Sequence, residues 1–181
     1  MSWILTFSGR RFDLLAPTAG MISPIDIAHA LSLLCRFNGH TSQLYSVAHH
    51  SLLVADLVPA EDQLAALLHD ATEAYLGDMT RPLKAVLPEY KAVEHNVWLA
   101  ICERFNIDPV LPASVHHADL VALTTERRDL MPRHPEQWER LKGVIPCITT
   151  ITPLRADAAK NTYFNRLLEL MQAAHRKAVA V

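Results

Sequence analysis

An imidazole and a carboxylate stand side by side in the middle of an apolar run, Ala65-Ala66-Leu67-Leu68-His69-Asp70-Ala71-Thr72-Glu73-Ala74-Tyr75-Leu76. Hydrophobic flanks at helical spacing predict a helix packed into a core, with the His-Asp pair partly buried. A buried carboxylate without a partner is costly, or it takes up a proton and gives up its charge. A divalent metal ion removes that cost, because neutral imidazole and carboxylate are its usual ligands. Taken alone, the pair reads either as a structural hydrogen bond at a helix crossing or as part of a metal site, and the second reading needs further ligands from the rest of the chain.

The rest of the chain reads as helices punctuated by proline. Half of the 181 residues are hydrophobic and a fifth are charged, which suits one globular domain spanning residues 1–181. Trp3 to Leu15 reads as a short hairpin around Ser8-Gly9-Arg10-Arg11. Ser23-Pro24-Ile25-Asp26 opens a first helix, with Ser23 as N-cap and Asp26 as an acidic variant of the capping box, and Phe37-Asn38-Gly39-His40 ends it. Further helices are expected from about Ser46 to Leu57, from Glu61-Asp62 to Gly77, from Pro88 to Phe105, and from Pro112-Ala113-Ser114 to Met131. Residues 133–151 read as irregular, with one helical turn around Trp138, before Thr152-Pro153 opens a last helix through Lys177. The expectation is an all-α bundle of about six helices with a short N-terminal β-hairpin.

Composition narrows the function. A formal net charge of −2 disfavours stable nucleic-acid binding through a basic surface. Three cysteines (Cys35, Cys102 and Cys147) without a C-x-x-C argue against a disulfide framework and for a reducing compartment, and Cys35 and Cys102 read as core residues. The start Met1-Ser2-Trp3-Ile4-Leu5-Thr6-Phe7 lacks a basic segment, and no apolar run reaches membrane-spanning length. A cytoplasmic protein without a membrane anchor is the expectation.

Three helices offer metal-type residues: His49-His50, His69-Asp70 and His116-His117-Ala118-Asp119. One histidine of the second helix, the doublet and Asp119 would give two nitrogens and two carboxylates, leaving an octahedral cation two open positions. Adjacent residues lie about 100° apart around a helix, so only one of His49 and His50 can point inward. Apart from His116 and His117, only His95 lies between Asp70 and Asp119 as a further imidazole, which favours one metal over two. His116, His117, His134 and His175 read as surface groups, and Glu126-Arg127-Arg128-Asp129 as a solvated helix face. Trp98 and Trp138 read as packing residues.

These motifs resemble the HD-domain phosphohydrolase superfamily, whose pattern is a His, a His-Asp doublet and a distant Asp on helices. The resemblance extends to the 5′-deoxynucleotidase branch and related phage and bacterial proteins. It runs through Cys35-Arg36-Phe37-Asn38-Gly39-His40, Tyr45-Ser46-Val47-Ala48-His49-His50-Ser51, His69-Asp70-Ala71-Thr72-Glu73-Ala74-Tyr75-Leu76-Gly77-Asp78 and Ala118-Asp119 with Glu126-Arg127-Arg128, covering about residues 25–131. It implies that His50, His69, Asp70 and Asp119 bind one divalent metal ion (Mn, Co, Zn, Fe, Ni or Mg). His50 is selected because it directly precedes Ser51; His49 stands where relatives often carry Glu or Gln. The resemblance makes Glu73 and Asp78 catalytic, Glu73 on the attacking water and Asp78 on the sugar or the leaving oxygen. It places Arg36 on phosphate, with Lys84, Phe37 and His40 as further substrate contacts, Phe37 by stacking on a base.

The implied activity is hydrolysis of deoxynucleoside phosphates, with release of phosphate from deoxynucleoside 5′-monophosphates as the first expectation. The alternative is a deoxynucleoside triphosphate triphosphohydrolase that releases triphosphate. Less favoured are another phosphoester, such as a cyclic nucleotide or a guanosine alarmone, and a non-catalytic nucleotide-binding module. The resemblance also implies a homo-oligomer, for which the apolar stripe Phe164, Leu167, Leu168, Leu170 and Met171 could serve as a partner face or cap its own core.

Overall fold

The computed structural model describes residues 2–179. Strands β1 (Trp3–Leu5) and β2 (Arg11–Asp13) form an antiparallel hairpin in the register Trp3↔Asp13, Ile4↔Phe12 and Leu5↔Arg11. Helices follow as α1 (Pro24–Leu33), α2 (Val47–Asp56), α3 (Gln63–Leu68), α4 (Glu73–Leu76), α5 (Arg81–Ala85), α6 (Pro88–Phe105), α7 (Ala113–Leu130) and α8 (Ala156–Val179). Short 3-10 turns occupy Ala19–Met21, Arg36–Gly39 and Glu139–Leu141. The chain is thus mostly helical with a small N-terminal sheet, as the periodicity implies, and it has eight α-helical segments among the described residues where about six were expected.

The extra segments have local causes. The expected helix from Asp62 to Gly77 breaks into α3 and α4 at the doublet. His69 N, Ala71 N and Glu73 N all bond to carbonyls three residues back, so the chain tightens here without leaving right-handed geometry. Gly77, with φ +82°, ends α4 at the residue where the helix was expected to stop. The short α5 escapes the sequence pattern because its run Arg81-Pro82-Leu83-Lys84-Ala85 spans little more than one turn and buries no residue.

Three further expectations at helix ends are corrected. Asp26 does not complete a capping box. It is buried and accepts hydrogen bonds from Ser8 N (2.7 Å) and Ser8 Oγ (2.8 Å), tying the hairpin turn to α1. The first helix stops at Leu33 and not at Phe37–His40, because Cys35 takes an extended conformation and pairs with Ser46. Arg36 N donates to Tyr45 O and Val47 N to Leu34 O, so residues 35–46 form a closed loop. Cys35 is accordingly half-buried in a bridge instead of buried in a helix, whereas Cys102 is a core residue. The last helix begins at Ala156, after the extended stretch 151–155, and not at Thr152.

One continuous core joins these elements. Ile27, Leu31, Val47, Ala48, Leu67, Leu68, Ile101, Tyr163 and Leu167 are fully buried within it. Helix α2 is central, packed against α1, α3, α7 and α8. The hairpin closes one side by stacking Phe12 on Tyr75 at 3.9 Å. The apolar stripe of α8 turns toward its own core: Leu167 is buried, and Phe164, Leu170 and Met171 pack against the cluster. Among the described residues no helix is long and apolar enough to cross a membrane.

Helix α8 also fixes the segment that leads into the doublet. Tyr163 Oη donates to the Leu67 carbonyl at 2.8 Å, with both groups buried. Tyr163→Phe leaves that carbonyl unpaired in the core and is expected to cost about 1–3 kcal/mol in denaturant unfolding. A variant with unchanged stability would show that the bond does not support this part of the fold.

Candidate metal centre

The cluster forms where α2, the α3–α4 turn and α7 meet. Ser46 caps α2, its Oγ accepting from His49 N, and this sets the rotation of the helix. His50 then points into the core and is 0 % exposed. The adjacent His49 turns away and accepts a hydrogen bond on Nδ1 from Leu154 N (3.1 Å), anchoring the approach to α8. The choice between the two imidazoles is therefore settled by geometry in favour of His50.

Three side chains converge on His50 Nε2. His69 Nε2 lies 3.3 Å away, Asp70 Oδ2 3.4 Å and Asp119 Oδ1 3.4 Å, while His69 Nε2 and Asp70 Oδ2 are 3.3 Å apart. A single Nε2–H can donate to only one of three neighbours. A cation centred among these atoms would satisfy all of them. His50, His69 and Asp119 form a group that could hold a metal ion, their ligand atoms lying within 4.8 Å of one another. Asp70 joins them through its contacts to both imidazoles.

The ring nitrogens facing away from the cluster are also engaged. His69 Nδ1 donates to the Ala66 carbonyl (2.7 Å), which leaves Nε2 with its lone pair toward the centre. His50 Nδ1 meets Glu126 Oε1 at 2.6 Å. Glu126 is 0 % exposed, so it is not part of a solvated helix face as its charged neighbours suggested. It stands seven residues after Asp119, two turns along the same face of α7, and that spacing was the available signal. Its other oxygen accepts from Arg36 Nη2 (3.1 Å).

Arg36 reaches the cluster because the backbone turns back sharply after it. Phe37, Asn38 and Gly39 have φ of 54°, 51° and 79°, a left-handed run that is unfavourable for a bulky residue such as Phe37. The Arg36 guanidinium, 12 % exposed, bridges Glu126 and Asp70 (3.6 Å), and its Nε is buried without a hydrogen-bond partner among the described residues. Phe37 lies beneath that guanidinium at 5.2 Å and 6.4 Å from Trp138. His40 is not brought to the cluster. It is exposed and lines a separate cleft with Thr41, Ser42 and Asp129–Pro132, on the outer side of the 35–46 loop.

On the opposite side, His69 and Asp70 open onto a cleft of about 350 Å³ that Lys84, Lys91, His95 and Trp98 also line. Glu73, one turn after the doublet, is 4 % exposed, and its Oε2 is buried without a hydrogen-bond partner among the described residues. Lys84 Nζ lies 3.7 Å from Glu73 Oε1 and 2.6 Å from Glu94 Oε1. Arg140, in the stretch expected to be irregular, approaches Asp119 Oδ2 at 3.6 Å. No periodicity marks it, since it sits on a single 3-10 turn.

The electrostatics follow from crowding. Burial and the Arg36 charge press the His50 pKa down, but Glu126 and the hydrogen bonds to Asp119 and Glu126 outweigh them and lift it to about 10. Burial works to raise Glu126, yet Arg36 and His50 hold it at about 2. Asp70 is likewise held low, against burial, by His69, His50 and Arg36. Glu73 moves the other way: burial, then the Asp70 and Asp78 carboxylates, raise it well above the usual range. Asp78 is raised by burial and by Asp70, against the pull of Arg36. The pattern is a carboxylate-rich centre in which Arg36 and a proton on His50 supply positive charge.

That proton must leave when His50 binds a metal. With the His50 pKa raised from 6.5 to about 10, its stabilising charge is fully present below pH 6.5 and lost as the pH rises through about 10. Titration of Mn²⁺ at pH 8 in buffers of different ionisation heat is expected to show release of about one proton per ion. Binding without proton release would contradict a protonated His50. Glu126→Gln, which weakens the acceptor behind His50, is expected to lower Mn²⁺ affinity roughly 10–100-fold.

No family model matches the chain. The chain is 42 % identical over 178 residues to the uncharacterized protein YfdR of Escherichia coli (strain K12), an alignment spanning 96 % of this chain and all of that protein. It is also 42 % identical over 137 residues to the uncharacterized protein RCAP_rcc00048 of Rhodobacter capsulatus, covering 70 % of each. With that identity over the whole length of YfdR, the chain belongs to the family of YfdR.

Proposed function

We propose that this protein is a metal-dependent phosphohydrolase of the HD-domain type that releases phosphate from deoxynucleoside 5′-monophosphates. The observation that carries the reading is the convergence of His50, His69, Asp70 and Asp119 on one point, with the unpartnered Glu73 Oε2 one helical turn away. The donor set of two imidazoles and two carboxylates suits a first-row divalent ion, and all four residues would be its ligands. A cation held there supplies a Lewis acid for a phosphoryl oxygen and lowers the pKa of a coordinated water.

The protein's own residues supply the rest. Glu73, buried and with a free oxygen, accepts the proton of the attacking water as the new O–P bond forms. Burial and the Asp70 and Asp78 carboxylates raise its pKa, which makes it a stronger proton acceptor. Arg36 keeps one edge on Glu126 and offers the other to a non-bridging phosphate oxygen. Asp78, whose pKa is also raised, hands a proton to the leaving sugar oxygen as its bond to phosphorus breaks. Lys84 sits at the cleft wall, where it can neutralise phosphate charge once it moves off Glu94. The two walls of the site thus divide the work, water activation on α4 and phosphate binding on the 35–46 loop.

The test is product analysis with dAMP and dATP in parallel, with Mn²⁺ or Co²⁺ added. Inorganic phosphate from dAMP is the expected result. Triphosphate released from dATP would establish the triphosphohydrolase alternative instead, and no product from either would contradict a nucleotide hydrolase. Asp70→Ala is expected to lose both bound metal and activity. Glu73→Gln is expected to keep its metal and lose activity by roughly 10²–10⁴-fold.

A further inference from the structure

Arg140 belongs to the connection between α7 and α8, yet its Nη2 lies 3.6 Å from Asp119 Oδ2, while Asp119 Oδ1 faces His50. The turn that carries it is held from both sides. Leu141 is buried, and Trp138 stands under the Arg127 guanidinium at 4.9 Å and beside Phe37. Arg128 donates to the carbonyls of Cys147 and Thr149 further along the same connection. The guanidinium is therefore placed by its backbone.

The contact with Asp119 is a weak reason for that placement. The Arg140 side chain is 33 % exposed, and an ion pair at 3.6 Å in such a setting contributes little. Arg36, with its Nη1 3.6 Å from Asp70 Oδ2, is a second guanidinium on the same cluster. Two guanidiniums thus approach a centre whose Asp119 also faces His50. Forked guanidiniums gathered beside a metal-type cluster match the oxygens of a phosphate group.

We propose that Arg140 is a substrate-binding residue that grips a non-bridging phosphate oxygen, and that in the metal-free protein the same guanidinium rests on Asp119. This inference rests on the phosphohydrolase reading. A cation bound to Asp119 competes with Arg140 for that carboxylate, so loading the cluster frees the guanidinium for the substrate. The residue therefore acts with opposite sign on its two ligands: it opposes the metal and favours the phosphate. A purely structural arginine would not separate these effects.

The experiment measures Mn²⁺ binding to the metal-free protein and inorganic phosphate binding to the Mn²⁺-loaded protein, both by calorimetry. Arg140→Ala is expected to bind Mn²⁺ roughly threefold more tightly, because a repelling charge is gone. It is expected to bind phosphate roughly tenfold more weakly and to raise the KM for dAMP by a similar factor, with a smaller fall in kcat. Arg140→Lys keeps the charge and loses the fork, and is expected to recover part of the phosphate affinity. Mn²⁺ affinity that is unchanged or lower, or phosphate affinity equal to that of the wild type, would overturn the inference. Both binding shifts in a protein that hydrolyses no nucleotide would support anion binding by Arg140 and overturn the nucleotidase reading alone.

Discussion

The buried contact between His50 and Glu126 organises the centre. Neither group belongs in a core by itself, since an isolated charge there is costly. Together, with Arg36 on the second carboxylate oxygen, they form a hydrogen-bonded chain in which each charge has a partner. The chain locks the His50 ring so that Nε2 faces His69, Asp70 and Asp119. It also ties three separate parts of the fold to one point: α2, α7 and the 35–46 loop. Loss of one member would leave the others buried and unpaired, so the cluster is as much a constraint on folding as a site.

The surrounding architecture serves that point. The break between α3 and α4 falls at the doublet, where the chain tightens and presents His69 and Asp70 together, with Glu73 opening the next helix. Tyr163 holds the end of α3 from below. The left-handed run at Phe37–Gly39 turns the chain so that Arg36 can enter the interior. Strained backbone beside a charged cluster is a common companion of function, and here the strain stands one residue from the guanidinium that the proposed reaction uses on phosphate.

Much of this was legible in the sequence because it obeys helical spacing. Helix α6 falls on Pro88–Phe105 as its apolar period and flanking prolines predict, and α2 and α7 lie within a residue or two of expectation. One histidine of α2, His69, Asp70 and Asp119 were readable as a set because each lies on or beside a helix, while the choice of His50 over His49 came from the family resemblance and agrees with its burial. What failed to show depends on tertiary contacts. Glu126 looked solvated because Arg127 and Arg128 follow it, although its partner is a histidine 76 residues earlier. Asp26 looked like a cap, but the hairpin turn claimed its carboxylate. Arg140 lies on a turn with no periodic signature, and His40 follows a loop whose outward course only the Cys35–Ser46 bridge determines.

The central claim is that one cation binds where these four side chains meet. Anomalous diffraction from crystals grown with Mn²⁺ tests it most directly. The account predicts one strong peak among His50 Nε2, His69 Nε2 and the carboxylates of Asp70 and Asp119, each about 2.0–2.3 Å from it. A peak confined to the outer cleft at Glu94 and His95, or no peak with the four side chains still in contact, would contradict it.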